Sequence, residues 1–154
     1  MLKLFAALAI AVPVTAIAQE FKVDPKLVNA CFNEVPRDLI DAPCIGNAAE
    51  ACSATTEQGE TTLGISQCKM AETKAWDDLL NGEYKTLRKN YADQPELQKG
   101  LQAAQRAWIA FRDADCKFAY DVWGDGSIRQ IVGADCQLRH TAHRAAELKN
   151  MRND

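Results

Sequence analysis

"AQRAWIAFRDADC", residues 104–116, is the stretch on which the fold turns. Within it Ala104, Trp108, Phe111 and Asp115 recur at steps of four, three and four, and the rhythm continues back to Leu97 and Leu101 and forward to Phe118. Such spacing marks one face of an amphipathic helix. Pro95, with Asp93 ahead of it, supplies a start and Gly124 a stop, so a helix is expected over residues 95–123.

Upstream, Cys68, Ala75, Trp76, Leu79, Leu80, Tyr84 and Leu87 form the inward set of a second helix over residues 66–90. Only "NYADQP", residues 90–95, joins the two, and so short a connection favours an antiparallel pair with a tryptophan from each helix facing the seam. Downstream, Gly124, Asp125 and Gly126 make a turn, a short helical piece is expected over residues 128–132, and a third helix begins near Asp135. That helix turns Cys136, Leu138, Ala142, Ala145, Leu148 and Met151 inward. Before these elements, Asp24 caps a helix with Pro25 at its first position, "CIGNAAEAC" (44–52) reads as a short helix, and residues 53–65 read as a polar loop. No segment alternates with period two, so the expected class is all-α: a small helical bundle with an antiparallel long-helix pair.

The first residues carry Lys3, an apolar run and the small pair Ala16 and Ala18, the pattern of a cleavable secretory signal over residues 1–18. The run is too short and interrupted to span a bilayer, and no cysteine follows the cut to carry a lipid, so no membrane anchor is expected. Export to the periplasm follows. Without Lys3 the chain has 17 basic against 21 acidic residues, a net charge of −4, which disfavours nucleic acid and favours cationic partners.

Six cysteines, at 31, 44, 52, 68, 116 and 136, in an exported chain read as three disulfides. Cys44 and Cys52 on one helix would lie about 12 Å apart, too far to bridge. Many pairings remain open, and the simplest joins neighbours across loops: Cys31 with Cys44, Cys52 with Cys68, Cys116 with Cys136. Sulfurs held this way serve neither as nucleophiles nor as ligands.

The run "AQRAWIAFRDADC" (104–116), with "WDDLLN" (76–81), "YKTL" (84–87), "GDGSI" (124–128), Cys68, Cys136, Thr141, Arg144 and Leu148, resembles the LprI-type lysozyme-inhibitor domain. The resemblance runs from about Cys52 to Met151 and divides the exported chain into an N-terminal extension, residues 19–51 with Cys31 and Cys44, and an LprI-type domain, residues 52–151. It implies a bacterial envelope protein that protects peptidoglycan by binding lysozyme, a strongly basic enzyme in its animal form. The alternative is an envelope housekeeping module with a bacterial partner.

The residues themselves point to binding and not catalysis. Arg112 needs a carboxylate, and the spacing offers Asp115 on its own helix or Asp77 and Asp78 across the seam. Asp113 and Asp115 could act as a glycosidase pair only by converging, yet residues two apart on a helix diverge by roughly 200°. Trp76, Asp77, Asp78, Trp108, Phe111, Arg112, Asp113 and Asp115 therefore read as a structural knot beside a cystine, with no catalytic residue and no cofactor. His140, His143 and Glu147 share a face, but with only two histidines and no free thiol a solvated face is expected over a metal set. Binding residues are expected in the two exposed connections: Glu57 and Glu60 in the polar loop, and Asp121, Asp125 and Ser127 around the glycine turn.

Overall fold

The computed structural model describes residues 20–37 and 39–152; the signal-peptide expectation for residues 1–18 lies outside them. Among the described residues the chain forms α1 (Pro25–Glu34), α2 (Asn47–Thr55), α3 (Thr62–Asn90), α4 (Pro95–Asp121) and α5 (Arg129–Asn150), with no strand. The Asp24 carboxylate accepts from the Lys26 amide at 2.9 Å and Pro25 opens α1, as its missing N–H allows. Helix α3 starts earlier than its apolar period suggests because Thr61 caps it, Oγ1 accepting from the Gly64 amide at 3.0 Å. Likewise the piece expected over residues 128–132 runs on without a break to become the first turn of α5.

Cross-links fix the directions. Lys69 and Glu83 on α3 reach Asp135 in α5 and Arg152 just past its C-terminal end, so these two helices run parallel and share the largest interface. Cys116 and Gln105 on α4 reach Cys136 and Arg144 on α5, so α4 runs antiparallel to both. The long helices α3 and α4 thus run antiparallel, but they scarcely touch and each packs on α5. Trp76 accordingly turns toward α1, its ring meeting Phe32 edge-on at 6.1 Å.

The main core draws on both ends of the described chain, with a smaller cluster of Ala49, Cys52 and Cys68 beside it. Val28, Phe32, Ala42, Ile45 and Ala48 from the N-terminal third pack with Trp76, Leu80 and Leu87 of α3 and with Leu138, Ala142, Ala145 and Leu148 of α5. The boundary drawn between residues 51 and 52 falls inside α2. The cystines are Cys31–Cys44, Cys52–Cys68 and Cys116–Cys136, and no cysteine is free.

The face of α4 needs correction. Its inward line runs through Leu101, Gln105, Trp108, Arg112 and Cys116, whereas Leu97, Phe111 and Phe118 are exposed, Phe118 to 69%. The cystine decides this: once Cys116 points at α5, Phe118 two residues on points roughly 200° away. A hydrophobic period locates a stripe; it does not say whether the stripe has a neighbour.

Candidate functional site

Helix α4 organises its polar groups around Trp108 and the cystine. The Arg112 guanidinium lies 4.9 Å from the Trp108 ring centre and binds Asp113 Oδ1 from Nε at 2.9 Å and from Nη2 at 2.8 Å. Its partner is therefore neither Asp115 nor Asp77 or Asp78. Held beside the indole of its own helix and bound by Asp113, the Arg112 guanidinium makes no bond to α3. Asp78 pairs with Lys74 at 3.1 Å, Asp77 accepts from Asn81 at 2.8 Å, and Asp115 turns to α5, where its Oδ2 meets His140 Nε2 at 2.8 Å. Phe111, expected inside, stands exposed, its ring nearly perpendicular to that of His140 with centres 5.4 Å apart. Asp113 and Asp115 diverge, so the two carboxylates cannot flank one glycosidic bond.

Arg144, buried on α5, completes the knot. Its Nε donates to Gln105 Oε1 at 3.0 Å, its Nη1 to Glu147 Oε2 at 2.8 Å, and it lies 5.9 Å from the Trp108 ring centre. The ion pair with Glu147, the hydrogen bond to Gln105 and the Trp108 ring together satisfy a charge that would be costly if left alone in the interior. The face of His140, His143 and Glu147 is only partly solvated: His143 Nε2 meets Asp41 at 3.0 Å, and each of the three has its own partner. Cys116, Cys136 and His140 bring possible ligand atoms within 4.8 Å of one another, but the two sulfurs are bonded to each other and offer no thiolate.

The two connections expected to bind lie at one end of the bundle. Parallel α3 and α5 begin level with each other, tied by Lys69 and Asp135, so the turn before α3 and the turn before α5 share that end. The first is shorter than the expected polar loop, because α2 extends to Thr55 and α3 starts at Thr62. Cys52–Cys68 clamps its base, and a Cβ at Gly64 would meet the Gln58 carbonyl oxygen at 2.1 Å, so only glycine lets these strands of backbone pass. Gln58 at the tip has a positive φ of 56°. Glu57 and Glu60 stand exposed on this turn.

The second turn bends at Gly124, whose φ is 52°, and is braced by Arg129, which donates to the Gly124 carbonyl at 2.6 Å and stacks 5.1 Å from the Tyr120 ring. Ser127 is exposed, Asp121 pairs with Lys117, and Asp125 lies 3.7 Å from Arg129. These acids are locally neutralised. The apolar side chains beside them are not covered: Phe118, Val122, Trp123 and Ile128 are all exposed.

Charge is asymmetric. Residues 38–68 hold five acids, Asp38, Asp41, Glu50, Glu57 and Glu60, and neither lysine nor arginine. Between α2 and the start of α3 lies an open cleft of about 380 Å³ lined by Ala49, Glu50, Ser53, Ala54, Glu60, Ile65 and Lys69. Lys69 is engaged by Asp135 at 2.6 Å, while no ion pair joins Glu50 or Glu60 among the described residues.

Asp135 illustrates how that bridge is held. Burial alone would raise its carboxyl group, but the hydrogen bonds and charges of Lys69 and Arg139 outweigh this and hold it below the ordinary 3.8. A depressed carboxyl stabilises the fold above its unfolded value and ceases to do so as pH falls through the folded one. Asp135→Asn should therefore be less stable than wild type at pH 7, with the difference in urea midpoint closing well below pH 3.8. A difference independent of pH would contradict the assignment.

Sequence reasoning missed Glu72, Gln105, Arg144, Lys69 and Asp135 as organisers, and Trp123 as a surface group. Glu72 carried a readable signal: it lies four residues from both Cys68 and Trp76, on the stripe already taken as inward.

These features make a disulfide-clamped helical module with two turns at one end, an exposed apolar patch and an acidic cleft. The lysozyme inhibitor LprI family model matches residues 52–148, and the chain belongs to that family. An uncharacterized protein of Rhizobium meliloti (strain 1021) is 38% identical over 53 residues, covering 34% of this chain and 38% of that protein. The chain therefore matches well under half the length of this relative. No solved structure matches. Family and cystines together suggest an extracytoplasmic protein, and among the described residues no helix is long and apolar enough to cross a membrane.

Proposed function

We propose that the chain is a periplasmic binding protein that inhibits lysozyme by occupying its surface, without turnover of its own. The observation that carries this reading, beside the family, is the run of five acids uninterrupted by any base over residues 38–68, with Glu50 and Glu60 left unpaired at a cleft. A local excess of acid over base accelerates encounter with a basic enzyme, and rigid turns lose little entropy on docking. The Cys52–Cys68 clamp supplies that rigidity.

The test is a lysis assay. Oxidised protein added to an animal-type lysozyme should slow clearing of a cell-wall suspension at near-stoichiometric amounts, with the effect weakening as salt rises. Full lysozyme activity in the presence of excess protein, together with retention of a bacterial envelope protein on the immobilised chain, would favour the housekeeping role instead.

A further inference from the structure

We infer that the two turns form one docking surface, in which Phe118, Val122 and Trp123 supply the apolar anchor and the cleft flanked by Glu50 and Glu60, with Ile65 in its lining, receives a lysine or arginine side chain of a basic protein partner. This rests on the lysozyme-binding reading and says where, and with what chemistry, contact is made.

Three observations converge. The turns share one end of the bundle because α3 and α5 are parallel, and Lys69, which lines the cleft, bridges to Asp135 of α5. Phe118, Val122 and Trp123 are 69%, 63% and 50% exposed, leaving on the order of 300 Å² of apolar surface uncovered, about the size at which a patch signals a partner. The cleft joins apolar Ala49, Ala54 and Ile65 to two carboxylates lacking ion-pair partners, which suits the long apolar stem and charged head of a basic side chain.

Charge selects the occupant. A second copy meeting this face about a two-fold axis would bring its own Glu50 and Glu60 toward the same acids, and an anionic lipid surface would be repelled. A basic protein gains from both halves of the surface: aromatic anchors at the centre of an interface carry most of its energy, and charged rims set encounter rate.

Titration calorimetry and binding kinetics with an animal-type lysozyme test this on the oxidised full chain. Val122→Ser/Trp123→Ser should weaken binding by about 30-fold or more, as loss of a central aromatic anchor does. Glu50→Gln/Glu60→Gln should slow association and flatten its salt dependence. Leu97→Ser, at the other end of α4, should change neither. Trp123 lies beyond the last residue of α4 and is half exposed, so circular dichroism should show the fold retained. An independent readout on the unaltered chain is amide exchange, which should slow on binding at residues 56–61 and 122–128. Wild-type binding undiminished in Val122→Ser/Trp123→Ser, or exchange protection confined to α1, would overturn the inference and leave the proposed function standing. No binding by the unaltered chain would remove both. A wild-type dimer that this double variant dissociates would assign the patch to self-association and overturn the inference.

Discussion

Glu72→Ala is expected to lower the stability of the protein by about 3–5 kcal/mol, because it strands donors that have no other acceptor. Glu72 is 1% exposed. Its Oε1 accepts from the Gly46 amide at 2.8 Å and the Trp76 indole at 3.0 Å, and its Oε2 from the Ala49 amide at 2.7 Å. Gly46 is the N-cap of α2 and has no side chain with which to cap it, so a carboxylate from α3 does so from across the interface. A negative charge there also complements the positive end of the α2 dipole. Truncation leaves the Ala49 amide and the Trp76 indole buried without partners, and each such donor costs about 1–3 kcal/mol. The void left by the side chain adds to this. Glu72→Gln keeps the shape but turns an NH₂ toward donors, so it should lose more than half as much as the alanine. Urea unfolding of the oxidised protein measures both. A loss under about 1 kcal/mol for alanine would show that α2 is held by its cystine and not by this carboxylate.

The helices, their order and the three cystines could be read from residue types and spacing, because each rests on local chemistry: Asp24 and Pro25 at a helix start, a period of hydrophobic residues, cysteines too far apart along one helix to bridge. What could not be read was which neighbour each face meets. The short turn at residues 90–95 correctly made α4 antiparallel to α3, yet α5 arrives later in the chain and packs against both, leaving α3 and α4 little contact with each other. That arrival rotates Phe111 and Phe118 outward and draws Gln105 and Arg112 inward, against their polarity. Glu72 and Arg144 were hidden for a related reason. Charged residue types are discounted as core, although a carboxylate with three donors, or a guanidinium against an indole, is at home there. The candidate surface was legible in halves. Both turns stand out by composition, but their common location depends on the parallel pairing of α3 and α5, which no local signal encodes.

The same geometry makes the Cys116–Cys136 bridge decisive for α4. Of its residues only Gln105 and Cys116 are buried, so an unusually long helix is held by few interior contacts. Replacing both cysteines by serine opens a loop with a sequence separation of 20, for which chain entropy alone gives a loss of about 3 kcal/mol. The remaining ties over the second half of α4 are weak. Asp115 and His140 form a half-exposed pair worth under about 1 kcal/mol, and the exposed Phe111 adds only a T-shaped contact with that histidine. Toward the first half, Gln105 and Trp108 keep their hold on the buried Arg144. The loss should therefore be uneven: amide exchange accelerates sharply over residues 111–121 while α3 and the first half of α4 stay protected. Cys31→Ser/Cys44→Ser, which opens a loop with a separation of 13 at the other side of the core, should cost a similar amount globally and leave that segment protected. If the α4 amides stay slow in the Cys116→Ser/Cys136→Ser chain, the outward aromatic stripe must be covered by something other than solvent, and the docking end would not be free in the isolated protein.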